Sequence, residues 1–154
     1  MSSDEEVPMD TQDRIEREIR IEAPAARVWQ LVARPGWWIG DGDRSGHTVT
    51  TDGDLIVVHD PRYGKFPMYR VVSDEPRYLA YRCSAVIDEP PRDGAATLVE
   101  FFLTEVGGGT VLRVVESGFG ALDGTPAQRR EAFEGNTDGW RQQLDIAKRD
   151  VESA

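Results

Sequence analysis

The sequence is poor in the residues that most often advertise chemistry. It has one cysteine (Cys83), two histidines (His47 and His59), and two lysines against sixteen arginines. A single thiol excludes an internal disulfide and suits a reducing compartment. The two histidines stand alone, with no HxH, HxxxH or CxxC spacing anywhere, so no metal and no cofactor is expected. No apolar run approaches the roughly 18 residues of a membrane span, and no leader pattern precedes the first apolar segment. The expected setting is therefore the cytoplasm. Basic charge is also scarce. The formal net charge is −10, and residues 1–13 carry five acids and no base. The rest still sets 23 acids against 18 bases. An acidic body lacks the clustered lysine and arginine that nucleic acids and anionic membranes need, so neither partner is expected. The plain meaning of the charge is solubility.

What is present has the size of one ordinary domain, large enough to build a core. Residues 1–13 are polar and acidic and read as a disordered tail, with a single domain over 14–154. Ile15, Arg17, Ile19 and Ile21 alternate with charged neighbours, the period of a half-buried strand. Pro24 then opens a helix whose apolar face holds Val28, Leu31 and Val32. Arg34-Pro35-Gly36 ends it, and Trp37 to Gly40 suggests a second short turn.

From His47 to Glu116 every signal is β. Asp52-Gly53 marks a hairpin between Thr48–Thr51 and Asp54–His59. Strands are predicted over 66–73, 77–87, 97–106 and 110–116, with Gly107-Gly108-Gly109 a tight turn rather than a phosphate loop. Short connections favour an antiparallel meander. Thr125-Pro126-Ala127-Gln128 reads as a capping box. After it, Phe133, Trp140, Leu144, Ala147 and Val151 share one face of a long helix. Gly135 and Gly139 interrupt that helix at a cost of about 1 kcal/mol each, which suggests a face kept thin over a cavity. The fold class is α+β.

Several segments together resemble the activator of 90-kDa heat-shock-protein ATPase homologue family, within the START / birch-pollen-allergen-like (SRPBCC, helix-grip) superfamily. They are the first strand with Ala23-Pro24-Ala25-Ala26-Arg27-Val28-Trp29, then Asp74-Glu75-Pro76-Arg77-Tyr78-Leu79, then the glycine turn after Thr97–Val106. Glu116-Ser117-Gly118-Phe119 and Gly139-Trp140 with Leu144 and Lys148 complete the set. The resemblance implies a curved antiparallel sheet of six to seven strands gripping the C-terminal helix, with two short helices after the first strand. It also implies a hydrophobic cavity for a small organic molecule. Where such proteins often carry a tryptophan, this sequence has Cys83, which should widen the cavity locally.

Strand and helix faces nominate the lining. Tyr81 and Cys83 share one strand face, Phe101 lies on the next, and Glu116 continues the inward face of Leu112 and Val114. Tyr69, Trp37 and Trp38 join them, with Phe119, Phe133, Trp140 and Leu144 from the C-terminal third. Any of these serves equally as plain core. An inward Glu116 would have a raised pKa and could meet a ligand hydroxyl or move a proton, whereas an edge carboxylate paired with arginine would do neither. No nucleophile elbow or triad spacing surrounds Ser117, so no catalytic residue is assigned.

The function expected is binding of a small hydrophobic or aromatic molecule. The alternatives are a polyketide cyclase or aromatase-like enzyme and an interaction module for a chaperone ATPase. A homodimer stays open. A chaperone partner is the less expected, since the sequence shows no counterpart of the eukaryotic co-chaperone's extra N-terminal domain.

Overall fold

A computed structural model describes residues 13–153 of the chain. The acidic tail expected over 1–13 lies outside the described residues, apart from Asp13. The Asp13 carboxylate accepts a hydrogen bond from the Gly120 backbone N–H at 2.8 Å.

The chain runs β1 (Arg14–Ile21), α1 (Ala25–Val32), β2 (Thr48–Asp52), β3 (Leu55–Asp60), β4 (Gly64–Asp74), β5 (Tyr78–Ser84), β6 (Ala96–Val106), β7 (Gly109–Ser117), a 3-10 turn (Phe119–Ala121) and α2 (Pro126–Ser153). The strands form one antiparallel sheet in the order β1-β7-β6-β5-β4-β3-β2. After β1 the chain crosses to the far edge through α1 and a long loop. It then returns strand by strand until β7 pairs with β1. The fold is the expected α+β helix grip, with α2 held against the sheet.

Local chemistry accounts for most boundaries. The Thr125 hydroxyl accepts from the Gln128 N–H at 3.1 Å, and the Gln128 side chain accepts from the Thr125 N–H at 2.9 Å. This reciprocal capping box satisfies two donors that a helix start leaves open. Trp140, Leu144, Ala147 and Val151 form the buried stripe of α2. The amphipathic α1 starts after Pro24, and Glu105 on β6 accepts from the Ala25 N–H at 2.8 Å. Gly107 and Gly108 both have positive φ, at 58° and 86°, as a type I′ hairpin turn requires.

Three expectations need adjustment. The first hairpin turns on Gly53-Asp54 instead of Asp52-Gly53, because Asp52 pairs with Leu55 and the positive φ falls on Gly53 alone. That is the type II′ arrangement, with glycine first. The strand expected to run to Ile87 ends at Ser84, whose hydroxyl accepts from the Val86 N–H at 3.1 Å and curls the chain away. The second short element near Trp37 is a pair of hydrogen-bonded turns, Trp37 N–H to Arg34 and Ile39 N–H to Gly36, and not a helix. Gly36 at φ +71° explains this, since a left-handed residue interrupts helical winding.

The core lies between the sheet and the two helices. Ile15, Ile21, Leu79, Val99, Phe101, Leu112 and Val114 come from the strands, and Val28 and Val32 from α1. They meet the buried stripe of α2.

Candidate functional site

The long loop 33–47 is the least regular part of the domain, and its anchors shape the site. The Arg44 side chain is nearly buried and donates to the Trp37 carbonyl at 2.8 Å and to Asp150 on α2 at 2.7 Å. Gln143, also on α2, donates to the Gly40 carbonyl at 2.8 Å. These bonds hold the Trp37-Trp38 segment against the helix. His47 and Asp60 form a second anchor at 2.9 Å, with both side chains buried. Burial pushes the Asp60 carboxyl up, but the backbone N–H groups of Arg62 and Tyr63 and the His47 ring outweigh it and hold the pKa below its usual value.

Between this loop, the ends of β5, β6 and β7, and the first half of α2 lies a cavity of about 510 Å³. That volume suits a small organic molecule. The helix contributes Ala132, Gly135, Asn136, Gly139, Trp140 and Gln143, which repeat at the three- and four-residue spacing of one face. A Cβ placed on Gly135 or on Gly139 would meet nothing within 4 Å. The glycines therefore border open space, and the thin face inferred from their cost is where the cavity lies.

Glu116 sits at the inner wall and is only 5% exposed. Its strand faces account for this, since Glu116 pairs with Val99 and continues the inward row of Leu112 and Val114. Three neutral side chains from two elements hold the carboxylate. Thr97 Oγ1 donates to Oε2 at 2.7 Å, Trp140 Nε1 donates to Oε1 at 2.8 Å, and Asn136 Nδ2 lies 3.2 and 3.3 Å from the two oxygens. Burial pushes the Glu116 pKa up, while the bonds from Thr97, Trp140 and Asn136 pull it down less strongly. No arginine pairs with it, so the edge-carboxylate alternative does not describe this residue.

Of the residues nominated from sequence, Trp38, Cys83, Glu116, Phe119 and Trp140 line the cavity. Burial pushes the Cys83 thiol well up, with a smaller push from the Glu116 charge, which favours the neutral thiol in the wall. The other six lie elsewhere. Trp37 and Phe101 are fully buried and stack at 5.5 Å behind the wall. Tyr81 is also fully buried, its ring centred 5.6 Å from that of the lining residue Trp38. Leu144 packs in the core one turn beyond Trp140. Phe133 stands edge-on to Phe119 at 5.5 Å, outside the lining.

Tyr69 is the clear correction. Met68 pairs with Cys83 and points inward, which sends Tyr69, opposite Arg82, to the outer face. A β-bulge between Arg70 and Val72 shifts the alternation in this strand, so its period cannot be carried along from either end. Sequence reading also passed over Thr97 and Asn136. Each carried a signal: Thr97 lies two residues before Val99 on an inward face, and Asn136 lies four before Trp140.

Residues 22–149 match the family described as Activator of Hsp90 ATPase homolog 1-like protein. The chain belongs to that family. Among curated proteins, none matches the sequence. Several solved structures share the fold. Protein MLL2253 from Mesorhizobium loti superposes with a TM-score of 0.66 at 19% identity, covering 88% of this chain and 94% of its own. The Aha1 dimer from Colwellia psychrerythraea gives 0.65 at 15% identity, over 90% of this chain and 96% of that one. The Zhui aromatase/cyclase from Streptomyces sp. R1128 gives 0.62 at 19%, over 90% and 93%. At these identities the likeness is one of fold.

This family member has a lining with one sign of charge. Its ionisable side chains are Asp41, Tyr63, Cys83 and Glu116, with no lysine, arginine or histidine among them. Among the described residues no group of three or more His, Cys, Asp or Glu side chains is arranged to hold a metal. No helix of the described residues is long and apolar enough to cross a membrane.

Proposed function

We propose that this protein binds a small, largely apolar molecule, aromatic in at least one part, in the cavity between the sheet and α2. One observation carries the reading: a space of about 510 Å³ is walled by Trp38, Met68, Phe119 and Trp140 and has a single buried carboxylate at its inner side. Gly135 and Gly139 border this space, and a Cβ on either meets nothing within 4 Å. Large rings supply contact area, and the few polar groups set orientation.

Native mass spectrometry of freshly purified protein against a library of small aromatics and lipids tests this directly. The expected result is a stoichiometric complex that Gly139→Leu abolishes while the variant stays folded. A protein that retains no molecule and takes up none from the library would end the proposal.

A second reading has one observation in its favour. Glu116 faces the cavity with a raised pKa, as a proton donor or acceptor acting on a bound molecule would. An aromatase or cyclase-like role would place the reacting carbon chain against it. Turnover of a polyketide-like substrate, lost in Glu116→Gln with binding retained, would favour that role over simple binding.

A further inference from the structure

The hydrogen-bonding capacity of the cavity is unbalanced. Its polar side chains largely spend their donors within the protein. Thr97, Asn136 and Trp140 all donate to Glu116, Tyr63 donates to Asp41, and Gln142 donates to Asp138. Gln143 donates to Gly40, which leaves its Oε1 buried with no donor. Acceptors therefore outnumber available donors on the lining.

Charge points the same way. Asp41, at the mouth, has Arg62 at 2.8 Å. Among the described residues Glu116 has no counter-ion. The groups that face it are Thr97 from β6, Asn136 and Trp140 from α2, and the Cys83 thiol from β5, none of them cationic. Three donors favour the charged form of the carboxylate, yet no positive charge balances it. A buried carboxylate without a cation is costly, and a ligand can supply what the fold does not. The indoles of Trp38 and Trp140, centred 5.8 Å apart, both line the cavity and supply the aromatic surface that attracts a cation.

We infer that the cavity selects an apolar amine, whose ammonium group sets its charge against Glu116 and whose hydrocarbon part lies against the aromatic wall. The inference rests on the binding role proposed above and specifies the ligand's chemical class. It implies that carboxylates of the same shape are rejected, since no base lines the space to receive them.

Isothermal titration calorimetry with three probes of one shape, 2-naphthylmethylamine, 2-naphthylmethanol and 2-naphthoate, separates charge from fit. At neutral pH the amine is expected to bind at least about tenfold more tightly than the alcohol, and the carboxylate most weakly. Glu116→Gln should bring the amine down to the affinity of the alcohol for the same variant. The amine's advantage should persist in about 1 M salt, because attraction to the acidic surface is screened there and a buried pair is not. A naphthoate that binds as well as the amine overturns the inference, as does an advantage that survives Glu116→Gln or vanishes in salt. Binding of the alcohol or naphthoate without the amine would overturn the ligand class while leaving the cavity as a binding site. Silence from all three probes overturns the ligand class as well, and the library measurement then decides the binding role separately. If Glu116→Gln does not fold, the probe order and salt response of the unaltered protein decide.

Discussion

The indole N–H of Trp140 donates to Glu116 Oε1 at 2.8 Å, which ties the gripping helix to the last strand through a buried carboxylate. Trp140→Phe keeps a ring in the space and deletes the donor. Leaving the carboxylate short of one bond should cost about 1–3 kcal/mol of stability. It should also raise the Glu116 pKa further, because one of the bonds opposing the effect of burial is gone. Denaturant unfolding and carboxyl NMR titration read these two effects independently. An unchanged titration would mean that the bond does not stabilise the charge.

Glu116 also sets a pH dependence. Burial raises its folded pKa above the unfolded value, so folding favours the protonated form. That contribution is fully present below the unfolded pKa and is lost as pH rises through the folded one. As pH rises above the ordinary glutamate range the protein without ligand should therefore lose more stability than Glu116→Gln does. Parallel unfolding curves for the two proteins across this rise in pH would contradict the assignment.

The two glycines of α2 are open to a stabilising change. Gly135→Ala and Gly139→Ala should each add about 0.5–1 kcal/mol through helix propensity, because the new methyl meets nothing. For a domain of this size each should raise the Tm by roughly 1–4 °C. A fall in Tm at either position would show that the space beside the helix is occupied.

Arg44 fastens the loop that carries Trp38. Arg44→Met retains the apolar stem but drops the bonds to the Trp37 carbonyl and Asp150. The expected loss is about 1–3 kcal/mol, with faster amide exchange confined to residues 33–47. Tyr69→Ala is the counterpart with no expected effect on ligand affinity, since Tyr69 lies on the outer face of the sheet.

The strands with strict alternation could be read correctly from sequence, and so could everything that depended on them. β6 buries every second residue from Thr97 to Leu103, and Leu112 and Val114 are buried on the same face of β7, which was enough to aim Glu116 inward. The capping box was equally readable, because it is completed within four residues. The lining was harder to read. Period tells which face a residue is on but not how deep along that face it lies, so Trp37, Tyr81 and Phe101 looked like wall residues and are core. β4 defeated even the assignment of face, because its bulge inserts a residue that no pattern announces. Period placed Thr97 and Asn136 on inward faces, but their role came only with contact to a carboxylate 19 and 20 residues away in sequence.

The pairing of β1 with β7, Arg14 opposite Ser117, sets the order of assembly against the order of synthesis. Strands β2 to β7 can zip together across short turns as they emerge. β1 is made before the other strands and has no sheet partner until Thr110, which pairs with Ile21, has been made. Closing so long a loop is entropically costly and slow relative to local pairing. The first strand of the sheet to be made is thus among the last to be seated, and its buried residues Ile15 and Ile21 stay uncovered until β7 has been made.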